Sequence, residues 1–307
     1  MLYFFNKILA LMITAVMFIG VGSNGAPAHT VLDEENCLLN ATILSDVHIE
    51  GNNVPRYNVF GQILKDVKNT KTGNDALVFL GDNTMNGQNI ESLLFYGQLG
   101  KMHAADKTIV ALGNHDIGNG EGDLNRLFSR FAGYNKAFFN RELNGKPYFY
   151  EIVNGYYFIV LGPEELTVHD FPFSEEQLQF LDETLAAATA DGKPAFIFCH
   201  YSSYYIDDYA MTDKVDQVID KYNNVFYFYG HSHMPLNYWS FHMGDTYPLI
   251  NLPRCTDLTG EKDNEPYEGT GIGMQLEVYP DEVVVRARNF YTGNWEPDYE
   301  YHYDIVK

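Results

Sequence analysis

From Ala41 onward the chain alternates short apolar runs with segments of helical length. The run "ATILSD" has the length and branched side chains of a strand. Val59, Phe60, Ile63, Leu64 and Val67 then recur at the spacing of one helix face. "ALVFLGD" predicts a second strand, "NIESLLFYGQLGKMHAA" a helix, and "TIVALGN" a third strand. Two β-rich runs, "YFYEIV" and "YYFIVLG", flank Asn154-Gly155, a dipeptide that readily takes the positive φ angles of a two-residue hairpin turn. Ser174 followed three residues later by Gln177 predicts a capping box at the start of the helix "SEEQLQFLDETLAAATA". "PAFIFCH" and "NVFYFYGH" are further strands, and beyond Pro235 the chain reads mostly as β, including "GMQLEVYP" and "DEVVVRARNFY". With no fixed-period repeat and no linker, the expectation is one α/β domain over residues 38–307, with mixed sheets rather than a purely parallel one.

The first 28 residues do not continue this pattern. Lys7 precedes an uncharged run from Ile8 to Gly22, and Ala26-Pro27-Ala28 has the small-x-small form of a cleavage site. The apolar run is shorter than the ~20 residues a spanning helix requires. Residues 1–28 are therefore expected to be a cleaved signal peptide, with 29–37 an N-terminal extension. The protein is then secreted or extracytoplasmic, with no stable membrane anchor after cleavage.

Composition narrows the function further. Apolar residues make up 46% of the 307, enough for a sizeable core, while 41 acids against 20 bases give a net charge of −21. A surface this acidic repels phosphate backbones, so no nucleic-acid polymer is expected as a partner. Three cysteines, Cys37, Cys199 and Cys255, make no disulfide scaffold. Cys37 and Cys255 could form one bridge with Cys199 buried in a strand, and none stands beside residues that would activate a nucleophile.

Five of the apolar runs finish in side chains able to bind a metal or move a proton. "ATILSDVH" delivers Asp46 and His48, "DALVFLGDN" delivers Asp82, and "TIVALGNHD" delivers Asn114, His115 and Asp116. "PAFIFCH" delivers His200, and "VFYFYGHSH" delivers His231 and His233. Ligand sites of α/β sheets lie beyond the carboxyl ends of strands, where loops from several strands converge. Asp46/His48 and His231/His233 are i, i+2 pairs, whose members face one side as long as the chain stays extended. Carboxylates, imidazoles and one amide oxygen suit Mn, Zn or Fe. Seven candidate ligands (Asp46, His48, Asp82, Asn114, His200, His231, His233) are too many for one four-coordinate ion. They suit two ions sharing a bridging carboxylate, and Asp82, alone at its strand end, is the natural bridge.

Each motif is weak by itself, since D-x-H and H-x-H are common and G-D-N often marks a turn. In this order, each at a strand end, they are specific. The set D-x-H, G-D-N, G-N-H-D, a lone His and G-H-x-H resembles the calcineurin-like metallophosphoesterase superfamily, over Asp46 to His233. The resemblance implies a metallo-dependent phosphatase-like fold, a four-layer αββα sandwich of two mixed β-sheets flanked by helices. It implies two divalent or mixed-valence metal ions, the first held by Asp46, His48, Asp82 and His233. The second would be held by Asp82, Asn114, His200 and His231. His115 would serve as proton donor or transition-state stabiliser, oriented by Asp116, while a metal-activated water attacks phosphorus in line. Purple acid phosphatases of that superfamily carry a tyrosine three residues after the bridging aspartate. Met85 stands there instead, so the resemblance is nearer to the cyclic-nucleotide-phosphodiesterase-like or acid-sphingomyelinase-like branches.

The expected substrate is a small-molecule phosphate ester, with diesters slightly favoured because no cluster dedicated to a monoester is visible. A phosphomonoesterase is the alternative. A non-catalytic metal-binding receptor or scaffold would be marked by loss of a ligand or of His115, and neither is lost. Five histidines outside the motifs, His29, His103, His169, His242 and His302, read as exposed or core residues, with His169 in "VHDFP" the foremost exception. Tyr204, Tyr205 or Tyr209 could wall the substrate pocket, and Arg254 could meet a substrate phosphate but reads first as an ordinary ion-pair residue.

Overall fold

The computed structural model describes residues 7–9, 28–166, 168, 173–203, 209–243, 246–256 and 269–307. The expected signal peptide lies almost wholly outside them. So do His169, Tyr204 and Tyr205, and of Tyr209 only the backbone is described.

In chain order the first elements are β1 (Leu39–Leu44), α1 (Val54–Lys68), β2 (Ala76–Phe79), α2 (Asn89–Met102), β3 (Lys107–Val110) and α3 (Leu124–Phe139). The hairpin β4 (Phe149–Val153) and β5 (Tyr156–Val160) follows, then α4 (Glu175–Ala188), β6 (Ala195–Phe198), α5 (Tyr209–Ile219) and β7 (Val225–Tyr229). The chain ends in β8 (Phe241–Met243), β9 (Pro248–Asn251), β10 (Ile272–Val278), β11 (Glu282–Asn289) and β12 (Asn294–Asp304). These strands form two six-stranded sheets, ordered β12-β11-β10-β1-β2-β3 and β4-β5-β6-β7-β9-β8. Both are mixed: β1, β2 and β3 run parallel, as do β5, β6, β7 and β9, and antiparallel strands complete each sheet.

Period-two alternation on strands buried from both sides produces the layers. Leu39, Ala41 and Ile43 of β1 and Ala76 and Val78 of β2 pack toward the second sheet, against Phe196, Phe198, Phe226 and Phe228. Leu44, Leu77 and Phe79 turn the other way, onto Phe60, Ile63, Phe95 and Phe131 of α1, α2 and α3. On the far side Ile197 and Tyr227 meet Leu181, Leu185, Val215 and Ile219 of α4 and α5. The result is helices, sheet, sheet, helices, the four-layer αββα sandwich.

The turn Asn154-Gly155 has φ angles of 50° and 82°, as a two-residue hairpin requires. Ser174 caps α4 by accepting the amide of Gln177 at 3.1 Å. The return half of the expected capping box is absent. The Gln177 side chain turns inward, where it accepts from the amide of Gly162 at 3.0 Å and donates to that residue's carbonyl at 3.1 Å, tying α4 to the end of β5. Helix α3 was not anticipated. Its signal was Asp123, which accepts the Arg126 amide at 3.2 Å as N-cap, followed by Leu127, Phe131 and Tyr134 on one buried face.

All three cysteines are free thiols. Cys37 lies just before β1, its thiol on the carbonyl of Leu39, whereas the amide of Cys255 bonds Ser45 just past the other end. A six-residue strand is about 20 Å long at ~3.3 Å per residue, far beyond the reach of a disulfide. The last strands are locked to the first helix by Arg288 of β11, whose buried guanidinium grips Asp66 of α1 at 2.8 and 3.0 Å.

Candidate metal centre

The five strands whose ends carry the candidate residues, β1, β2, β3, β6 and β7, all deliver them to one edge of the sandwich. Beyond β1 and β2 the two chains stay bonded, Asp46 N to Gly81 O at 3.2 Å, His48 N to Asp82 O at 2.8 Å and Ile49 N to Asn83 O at 3.0 Å. The expected extended backbone is nevertheless lost. Asp46 (φ 54°), His48 (48°), Asp82 (50°), His231 (63°) and His233 (51°) are all left-handed. They account for five of the eleven non-glycine residues of positive φ among the described residues, so backbone strain concentrates here. Each such residue costs roughly 1–2 kcal/mol relative to a right-handed conformation. The i, i+2 members converge because both are left-handed, and the strand pleat has already ended.

Two groups of side chains result. Asp46, His48, Asp82 and His233 each present a ligand atom within 4.8 Å of the others, and Asp82, His200 and His231 do the same. Asp82 belongs to both. Its Oδ1 accepts the amide of His115 at 2.9 Å, which leaves Oδ2 facing His200 Nε2 at 3.2 Å and His48 Nε2 at 3.6 Å. His233 Nε2 lies 3.0 Å from Asp46 Oδ1 and 3.1 Å from His48 Nε2. Asn114 Nδ2 donates to Asn119 at 2.8 Å, which aims its Oδ1 elsewhere. The Nδ1 atom of His200 bonds the carbonyl of Leu80 at 3.2 Å and leaves Nε2 for a ligand. Asp82 Oδ2, Asn114 Oδ1 and His200 Nε2 are buried without a hydrogen-bond partner. Buried polar atoms are seldom left unpaired, and these three, among O and N donors, fit a metal ion.

Burial and charge set protonation states that agree with this. Burial lowers His48 to about 4, helped by the positive charge of Arg254, and lowers His231 to about 4 with the charge of His200 adding. Burial works to raise Asp46 and Asp82, but hydrogen bonds from His233 and His48 hold the first low and the His200 charge holds the second low. His200 is the exception. Burial would lower it, yet Asp82, with Asp46 and Asp116, carries it up to about 9. The carboxylate cluster thus favours a positive charge at this point, which a bound cation would satisfy.

His115 is 24% exposed and His233 36%, so the centre opens to solvent on their side. His115 Nε2 stands 4.0 Å from Asp82 Oδ2, and its Nδ1 bonds the carbonyl of Met85 at 2.6 Å. Asp116, expected to orient His115, does not do so. Its carboxylate accepts the amides of Asn83, Thr84 and Gly113 and the Thr84 hydroxyl, at 2.8 to 3.2 Å, stitching the loop after β2 to the loop after β3. Burial and the charge of Asp82 raise Asp116 to about 6. Met85 therefore matters through its backbone, and Asn119 and Ser45, which bonds Asp46, are further supports the motifs did not reveal. Arg254, read from sequence as an ordinary ion-pair residue, is close enough to be felt at His48.

Two motif glycines are required by contact. A Cβ on Gly113 would meet Asp82 Oδ1 at 2.2 Å, and one on Gly230 would meet Ser45 Oγ at 1.9 Å and Asp46 Oδ2 at 2.5 Å. Gly230→Ala is expected to destabilise the protein by about 1–3 kcal/mol and to lower metal content. Thermal denaturation with elemental analysis checks both, and unchanged metal content would show that Asp46 can move without harm.

No curated protein matches the chain. Among solved structures it is similar to a predicted phosphoesterase from Streptococcus pneumoniae TIGR4, at 12% identity and a TM-score of 0.39, covering 87% of this chain and 97% of that one. It is also similar to a cold-active protein-tyrosine phosphatase of a psychrophilic Shewanella species (16%, 0.40, covering 93% and 85%). A third is Vacuolar Protein Sorting 29 from Cryptosporidium parvum (10%, 0.37, covering 88% and 98%). Residues 39–235 match the model of the calcineurin-like phosphoesterases, a stretch that opens at β1 and closes two residues after His233, and the chain belongs to that family.

Proposed function

We propose that this chain is a metal-dependent phosphoester hydrolase in which two divalent ions share Asp82. The observation that carries the reading is Asp82, common to both ligand groups, whose buried Oδ2 has no hydrogen bond and faces His200 Nε2 at 3.2 Å and His48 Nε2 at 3.6 Å. Asp46, His48 and His233 would complete one ion's set, and Asn114, His200 and His231 the other's. When bound, such ions polarise phosphoryl oxygens and lower the pKa of a coordinated water.

The chain's own residues do the rest. The Met85 carbonyl accepts from His115 Nδ1–H, so a proton carried on Nε2 faces the centre and can pass to the departing alkoxide. The His115 amide holds Asp82 Oδ1, fixing the proton donor and the bridging carboxylate in one register. Asp116 keeps the two loops that carry them from separating. Diesters remain slightly favoured because the sequence shows no cluster dedicated to a monoester, and a pocket of about 490 Å³ lined by His115 leaves room for the leaving group of either ester. The amino-terminal leader pattern supports export, and no helix among the described residues is long and apolar enough to cross a membrane.

Loading the protein with Mn or Zn and assaying a chromogenic phosphodiester beside the matching monoester tests this directly. The expected result is two bound equivalents, turnover of at least one ester, and loss of turnover on chelation. Two bound ions with no turnover of either ester would favour a non-catalytic metal-binding role.

A further inference from the structure

The pocket at His115 is walled by the loop from Met85 to Asn89 on one side and the loop from Gly118 to Gly122 on the other, and closed by the first turns of α3. His115 lines this pocket and also turns its Nε2 to Asp82 at 4.0 Å, so one residue joins the pocket to the metal ligands. The proton donor serves the leaving oxygen, so the pocket lies where the leaving group goes.

Two cations of α3 line it, Arg126 and Arg130. They are four residues apart, neighbours on one helix face, where like charges repel and weaken the helix. Arg130 has a structural task, since its guanidinium donates to the carbonyl of Gly87 and straps α3 to the opposite wall. Arg126 has none of that kind. It is exposed, and among the described residues no carboxylate lies within salt-bridge distance of its guanidinium. In a chain of net charge −21, a cation so placed is conspicuous. Glu121 lies on the same pocket lining and keeps the pocket from being uniformly positive.

We propose that Arg126 is a specificity residue that receives an anionic group carried by the leaving alcohol, so that the ester hydrolysed bears a second negative charge beyond its reacting phosphate. This rests on the hydrolase reading and narrows its substrate class. The reaction itself is ordinary hydrolysis. The bond from phosphorus to the leaving oxygen breaks, its electron pair stays on that oxygen, and His115 supplies the proton while water supplies the new oxygen on phosphorus. Arg126 binds the far end of the departing molecule and touches no reacting atom.

The test compares phenyl phosphate with 4-carboxyphenyl phosphate, and the methyl diesters of each, on the metal-loaded protein. Arg126→Ala is expected to lower kcat/KM for the carboxylated esters relative to the plain ones by about 10- to 100-fold, the range of one charge-assisted contact. Arg126→Lys is expected to restore part of that ratio. An unchanged ratio in Arg126→Ala overturns the proposal. If the wild-type protein turns over none of the four esters, the hydrolase reading fails instead. The pocket is then judged by calorimetric binding of 4-carboxyphenylphosphonate against phenylphosphonate. A preference for the carboxylated probe that Arg126→Ala abolishes supports the anion subsite, and its absence overturns it.

Discussion

Asp82→Asn is expected to reduce bound metal from two equivalents to one or none. Turnover should fall by more than the roughly 100-fold that loss of an outer supporting partner costs. The substitution keeps the shape and can keep the acceptor for the His115 amide at Oδ1. It replaces Oδ2, which faces a histidine of each ligand group, by an amide that offers protons where a metal needs a lone pair. It also removes the charge that raises His200, leaving fewer carboxylates to balance any cation bound there. Elemental analysis of protein purified in excess Mn, with kcat on the better ester, reads both effects. Two retained equivalents at wild-type turnover would remove the bridging role.

His115→Ala should behave in the opposite way with respect to metal. His115 packs against His48 but belongs to neither ligand group, so both equivalents should remain. Loss of a positioned proton donor is expected to lower kcat by about 10²–10⁴-fold. The loss should be larger for an alkyl leaving group, which needs a proton, than for nitrophenolate, which departs without one. That dependence separates proton donation from a merely structural role. Equal losses across leaving groups would assign His115 to positioning, and unchanged turnover would remove it from the mechanism.

The sequence made the strand ends legible because an apolar run terminated by a ligand-type residue is local information, and five such ends in one chain constrain each other. The layer order was also legible, since a run such as Ala195–Phe198 can only be buried on both faces. The backbone at the ligands was not. Aspartate and histidine give no sign that they will be left-handed, and only the packed loops beyond β1, β2 and β7 impose it. Nor could the sequence show that Met85 orients His115, because the contact is a carbonyl that any residue would supply. The family resemblance implied that Asp116 orients His115, whereas the turn sends its carboxylate back to Asn83 and Thr84. Arg126 was invisible until α3 was, since its meaning depends on which loops the helix faces.

The position of β10 bears on how this protein comes into being. In β1, Ala41 pairs on one side with Ala76 and on the other with Leu276. A chain leaving the ribosome can therefore zip the first flank early, but must hold the second flank open until almost all of it has been made. Such distant pairing is slow to form and leaves a bare strand edge in the meantime. The stretch that identifies the family is thus a map of the chemistry and not a folding unit. A fragment ending at residue 235 would expose the unpaired side of the very strand that delivers Asp46 and His48.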